Sequence, residues 1–208
     1  MALDSVMIDI ETLGTKVGSV IPSIGLVAFD SEKQYEDIEE LRYNSLLINL
    51  DISTQLAEGK TVDASTLLWW LGQSEEARLK LIEGQKTDNL ASCFAATMAM
   101  YAFMDIDYQY RIDSTPLAVL EVPAKEVKVY GNGSVFDIAH LNHMIKTGGI
   151  DTPWSYRNEL CYRTLINSPL YSKDKIKAVK DSLKGKLVAH SPVDDAIYQV
   201  MILQNAKA

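Results

Sequence analysis

Cysteine, histidine and proline are all scarce in this chain of 208 residues, which holds two, three and six of them respectively. Cys93 and Cys161 are too few for a disulfide framework, and neither stands in a CxxC zinc pattern, so a reducing compartment is the simplest expectation. Positive charge is also short. Twenty Lys and Arg against 28 Asp and Glu give a net charge of −8, which advertises no broad basic nucleic-acid footprint and weakens non-specific duplex binding as a function. A nuclease is not excluded, because metal-binding acids add to the negative count and are offset by bound cations. No run is long and apolar enough to span a bilayer: the longest, 90–104, covers fifteen residues bracketed by Asp88, Asp105 and Asp107. It reads as a buried helix, and no membrane partner is expected. The N-terminus lacks the basic region and cleavage site of a signal peptide, so the expected location is cytoplasmic. Internal repeats and low-complexity tracts are missing as well.

What is present is ordinary for a globular chain: 47% apolar and 23% charged residues. The length favours one domain over 1–208. Short, largely apolar runs predict strands over 3–10, 23–29 and 42–50. From Asp63 the period becomes helical, with Leu67, Leu68, Trp70 and Leu71 on one face and Ser74 capping a further helix. A buried strand over 127–130 ends at Gly131-Asn132-Gly133, and a helix over 134–146 is stopped by Gly148-Gly149. Loop is expected over 105–126, around Pro116 and Pro123, and over 150–171. Helices follow over 172–183 and 193–204, the latter with Val193, Ala196, Ile197, Val200 and Met201 inward. Early strands, late helices and one strand–helix unit imply a mixed α/β domain.

Within this frame the sequence begins strangely, with Asp9 and Glu11 inside an apolar strand. Standing two apart, they project from one face while Ile8 and Ile10 take the other. Buried carboxylates are costly unless something positive meets them. A lone D-x-E is more often a pair of solvated strand-end acids, but two further stretches change the weighting. In Asn132-Gly-Ser134-Val-Phe136-Asp137 a carboxylate opens a helix directly after a strand, where alone it would serve the helix dipole. In His190-Ser-Pro-Val-Asp194-Asp195-Ala196, Ser191 is suited to the N-cap and Pro192 to the first helical position. Asp194 would complete a capping box. Asp195 is left free to face a site together with His190.

The ordered motifs D-x-E, N-x-x-x-F-D and H-x-x-x-x-D-A resemble those of the DEDDh 3′–5′ exonuclease superfamily, which has the ribonuclease-H-like fold. The stretch Thr66-Leu-Leu-Trp69-Trp70-Leu-Gly-Gln73-Ser74-Glu-Glu76-Ala77-Arg78 is similar to the T-x-x-W-W-x-x-Q-S-x-E-A-R element of a phage and bacterial branch containing phage exodeoxyribonuclease A and a mycobacterial exoribonuclease. Trp154-Ser-Tyr-Arg157 and Arg163-Thr164 resemble further elements of that branch. The resemblance runs from about residue 3 to residue 203. It departs at Pro192, where a small residue is usual, and at Cys161-Tyr162, which replace the acid before Arg-Thr.

The resemblance implies a mixed central sheet flanked by helices and release of nucleotides from a single-stranded 3′ end by two-metal phosphodiester hydrolysis. Hard Mg²⁺ or Mn²⁺ ions suit such carboxylates. By the same analogy Asp9 bridges both ions, Glu11 and Asp195 bind the first, Asp137 helps hold the second, and His190 is the general base, imidazole being the side chain that titrates near neutral pH. Thr12, Leu13, Asn132, Ser134, Trp70 and Arg157 are the expected substrate contacts. Trp69 and Trp70 are otherwise core candidates, at least one of them buried. His140 and His143 are assigned no task. DNA is the favoured strand and RNA the alternative, since no clear reader of a 2′-hydroxyl stands out. A catalytically silent oligonucleotide-binding module is the reading from another class. A homodimer is compatible with the sequence, and a phage-encoded chain would work in the host cytoplasm.

Overall fold

The computed structural model describes residues 3–104, 120 and 122–208. Two apolar strands come first, β1 (Ser5–Glu11) and β2 (Ser23–Phe29), each buried along its whole length. A short helix α1 (Ile38–Tyr43) leads into β3 (Ser45–Asn49). Helices α2 (Ile52–Ala57), α3 (Ala64–Leu71), α4 (Glu75–Gly84) and α5 (Cys93–Met104) follow. The second half contains β4 (Lys128–Gly131), α6 (Asp137–Thr147), β5 (Glu159–Cys161), α7 (Tyr162–Ile166), α8 (Lys173–Ser182) and α9 (Pro192–Asn205).

The strands form one mixed sheet in the order β3-β2-β1-β4-β5. β1 is central, antiparallel to β2 and parallel to β4, and β4 is parallel to β5. Alternation along β1 divides the core in two. Val6, Ile8 and Ile10 face a layer containing α5 and α6, through Met100, Phe103, Ile138, Leu141 and Ile145. Met7 faces the opposite layer with Val27 and Phe29, where Ala196, Ile197 and Val200 of α9 close over the sheet. Asp9 and Glu11 therefore lie on the α9 side. Among the described residues no helix is long and apolar enough to cross a membrane.

Several boundaries differ from the sequence expectation for physical reasons. Asp37 caps α1 by accepting the Glu39 amide, and Leu41 is buried, so the strand expected over 42–50 is confined to β3. The supposed loop over 150–171 contains β5 and α7; a three-residue edge strand is too short to show an alternation. The expected apolar face of α3 is not a buried face: Trp70 is enclosed, but Leu68 and Leu71 are about 70% exposed. The helix expected over 90–104 begins at Cys93 and is buried on one side only, with Phe94 in solvent. Most of the expected 105–126 loop lies outside the described residues.

Candidate active site

The parallel ladder between β1 and β4 stops at the pairing of Ile8 with Gly131. Beyond it β1 continues through Asp9 to Glu11, paired with β2 alone, and a cleft opens beside the unpaired edge. Asp137 reaches this place from the other direction, as the first residue of α6, just after the turn that ends β4. Gly131 makes the approach feasible, since a Cβ there would stand 3.2 Å from both the Cβ and Oδ2 of Asp137.

The third contribution comes from the start of α9, which lies almost on the sheet. Gly25, the partner of Asp9 in the β1–β2 register, permits this. A Cβ at Gly25 would fall 2.4 Å from the Pro192 carbonyl carbon and 2.6 Å from the Val193 amide nitrogen. His190, immediately before the helix, has φ 62°, a left-handed conformation uncommon outside glycine. Its amide donates to Asp195 Oδ2 at 2.9 Å, fixing both residues. The imidazole meets Trp69 edge-on, with centroids 4.9 Å apart, and Trp70 at 6.0 Å.

The expected capping box is not formed. Ser191 is the N-cap residue but its side chain makes no cap bond. Asp194 instead accepts Arg42 Nη1 at 2.7 Å and the Val188 amide at 3.0 Å, tying the α9 start to α1 and to the preceding loop. Asp195, expected to be free of any structural task, holds the His190 backbone.

Asp9, Glu11, Asp137, His190 and Asp195 thus line one cleft of about 570 Å³, together with Trp69, Asn132, Arg163, Lys180, Tyr198 and Gln199. Glu11, His190 and Asp195 each present a ligand atom within 4.8 Å of the other two. Burial pushes the Asp9 carboxyl well above its ordinary range, and the neighbouring charges of Asp137, Glu11 and Asp195 push the same way. Burial raises Glu11 to about 8, with Asp195 and Asp137 adding to the effect. Asp137 is raised to about 7 by burial, against the opposing pull of backbone amides and Arg163. Asp195 is raised by burial, against the His190 amide and imidazole. Such mutual repulsion is relieved by protons or by cations.

The donor set suits a hard divalent cation: carboxylate oxygens from three elements, with an imidazole alongside. The buried Asp137 Oδ2 has no hydrogen-bond partner among the described residues. Gln199, one turn beyond Asp195, was not anticipated. Its Nε2 donates to Asp9 Oδ1 at 2.8 Å, while its buried Oε1 is unpartnered. The i, i+4 spacing from Asp195 is the one signal that could have found it. Arg163, flagged in sequence by the Arg-Thr element, lines the cleft and donates to the Asn132 carbonyl, whereas Lys180 comes from α8 with no local cue.

Of the residues expected to contact substrate, only Asn132 lines the cleft. Leu13 and Trp70 pack with Val20 in a small cluster, and Trp70 Nε1 donates to the Thr12 carbonyl at 3.0 Å. Trp70 thus acts as a strut beneath the site, and Trp69 faces the cleft. Ser134 lies outside the lining, and Arg157 is exposed over the Tyr156 ring.

Residues 4–206 match the family described as the 3′–5′ exoribonuclease Rv2179c-like domain. The exodeoxyribonuclease of Enterobacteria phage T4 is 24% identical over 216 aligned positions, which span 96% of this chain and 87% of the phage protein. Among solved structures, S. pombe Pop2p in its Mg²⁺- and Mn²⁺-bound form superposes with a TM-score of 0.55 at 15% identity, covering 96% of this chain and 81% of that one. That likeness is one of fold, and the mixed five-stranded sheet with its flanking helices is ribonuclease-H-like. Matched over nearly its whole length, the chain belongs to the 3′–5′ exoribonuclease Rv2179c-like domain family of nucleases.

Proposed function

We propose that this protein is a 3′–5′ exonuclease that hydrolyses the terminal phosphodiester of single-stranded RNA with divalent-cation assistance. The observation that carries the proposal is the meeting of Asp9, Glu11, Asp137, Asp195 and His190 in one cleft from three separate parts of the chain. Asp9, Glu11, Asp137 and Asp195 would hold two Mg²⁺ or Mn²⁺ ions, whose charge would stabilise the attacking and leaving oxygens of an in-line displacement. His190 accepts the proton of the attacking water as that oxygen bonds to phosphorus. The bond from phosphorus to the penultimate nucleotide's 3′-oxygen breaks, that oxygen takes a proton from solvent to become the new 3′-hydroxyl, and the terminal nucleotide leaves as its 5′-monophosphate. Trp69 and the Asp195 carboxylate fix the imidazole and the backbone from which it acts. Gln199 orients Asp9. Arg163 and Lys180 supply positive charge for the substrate phosphates along the cleft wall.

RNA is preferred here over DNA because the family description names an exoribonuclease. The phage T4 relative favours DNA as the second reading. The test incubates 5′-labelled single-stranded RNA, single-stranded DNA and duplex DNA with the protein in Mg²⁺, Mn²⁺ or EDTA. A one-nucleotide ladder is expected, fastest on RNA, abolished by EDTA and by Asp9→Asn. Faster loss of DNA would reverse the substrate preference alone. Uncut strands that remain bound would replace the exonuclease with a silent binding module. His190→Ala is expected to lower turnover roughly 10²–10⁴-fold while leaving Mn²⁺ affinity near wild type. A loss of affinity like that of Asp9→Asn would instead make His190 a ligand.

A further inference from the structure

Six of the twenty basic residues of this acidic chain fall within 173–186, accompanied by two acids. The other 194 residues hold fourteen basic and twenty-six acidic side chains, so this stretch reverses the sign of the molecule. It comprises α8 and the turn after it. Ile176, Val179 and Leu183 attach the helix to the core, and its lysines are exposed. Lys173, Lys177 and Lys180 stand at i, i+4 and i+7, a single row on the helix surface. Among the described residues no hydrogen bond or ion pair engages these three ammonium groups, whereas Lys175 reaches the Lys207 carbonyl and Lys184 pairs with Asp181. Such a row opposes helix formation, since like charges at this spacing repel and Lys173 sits at the positive end of the helix dipole. Asp174 and Asp181, three residues before and four after Lys177, offset part of that repulsion, but helix stability alone gives no reason for a row that runs toward the cleft.

Its place does. Lys180 lines the acidic cleft together with Arg163 and Tyr198. From there the row continues for about 10 Å along the helix axis to Lys173. We propose that the Lys173–Lys177–Lys180 row of α8 is the track for the phosphodiester backbone of the single strand on the 5′ side of the bond being cleaved. The identity of the polymer rests on the exonuclease reading; the polyanion track rests on charge and continuity with the cleft. A strand whose 3′ terminus lies among the acids needs positive charge along its exit path, and in this chain, whose other residues carry net negative charge, the row supplies it.

The test is fluorescence anisotropy of 5′-labelled single strands, RNA and DNA, with Ca²⁺ in place of Mg²⁺. A strand of about twelve nucleotides, within the range of single-strand binding sites, is compared with a trinucleotide. Lys173→Gln/Lys177→Gln leaves Lys180 and the cleft intact. Two lost phosphate contacts are expected to reduce the salt slope of binding by about 1.4 and to weaken the longer strand on the order of tenfold or more at low salt. Trinucleotide affinity is expected to stay at the wild-type value. Equal loss for both lengths would overturn the track, because the substitutions would then act on the cleft itself. An unchanged slope and affinity for the longer strand would also overturn it and send the strand over another surface. A wild-type protein that binds the longer strand through these lysines but never shortens it in Mg²⁺ would sustain the track and defeat the exonuclease reading alone. Circular dichroism melts of the variant verify that it is folded.

Discussion

Four carboxyl groups drawn out of water and crowded together are unfavourable as anions, and each is shifted accordingly. Glu11 stands at about 8 and Asp137 at about 7, both raised first by burial, from ordinary values of 4.5 and 3.8. The native state therefore holds protons that the unfolded chain releases. An acid raised in this way contributes stability below its unfolded pKa and loses that contribution as pH rises through the folded value. In the absence of divalent ions, denaturant stability is expected to fall as pH rises from about 4.5 to about 8. Mn²⁺ affinity is expected to rise over the upper part of the same window, with proton release measurable by calorimetry in buffers of different ionisation enthalpy. A flat affinity across it would mean the acids are ionised before the metal arrives. Gln199 works against the crowding by donating to Asp9. Gln199→Leu removes that donor and is expected to weaken Mn²⁺ binding roughly 10–100-fold, the usual effect of losing a group that orients a ligand.

Between elements, the decisive contact is the approach of α9 to β2 at Gly25. Any side chain there would strike the backbone of Pro192 and Val193, which cannot give way as a flexible side chain would. Gly25→Ala is expected to lower stability by about 1–3 kcal/mol, the range for overpacking, as measured by urea unfolding. Turnover should fall as well, because the displaced helix carries Asp195 and restrains His190. Stability lost with full activity retained would show that the α9 start tolerates displacement. The sheet supplies the second condition. β4 stops pairing with β1 at Gly131, so Asp9 and Glu11 extend past their parallel neighbour into open space. A longer β4 would have filled the cleft with backbone.

On the scale of the molecule, the site is a join between layers. β1 lies between them, α6 brings Asp137 from one, and α9 with the turn before it brings Asp195 and His190 from the other. A cation bound there links both layers, and a ligand that binds only the folded form stabilises it by mass action. Saturating Mn²⁺ is expected to raise the melting temperature of the wild type, by an amount equivalent to about 2.7 kcal/mol at a hundredfold excess over the dissociation constant. EDTA should reverse the rise, and Asp9→Asn should abolish most of it. An equal rise in Asp9→Asn would place the stabilising ion elsewhere.

The central strands and most long helices were legible in the sequence because their signals are local: short apolar runs in β1 and β2, and Ser74 and Ser172 where α4 and α8 begin. β5 and α7 were not, since three strand residues and five helical ones carry too little period and take their form from neighbours. The acids and His190 could be picked out by order and motif, but Gln199, Lys180 and the exchange of roles between Trp69 and Trp70 could not. The same limit explains Asp194, whose spacing announced a capping box and whose actual partners are a distant arginine and a loop amide. The chain by itself determined which side chains would share a strand face or a helix turn, because backbone geometry fixes those relations over a few residues. Which faces meet, how closely α9 lies on the sheet, and therefore that five groups spread from Asp9 to Asp195 enclose one cleft, was decided by packing between segments far apart in sequence, where the available space at Gly25 and Gly131 sets the distances.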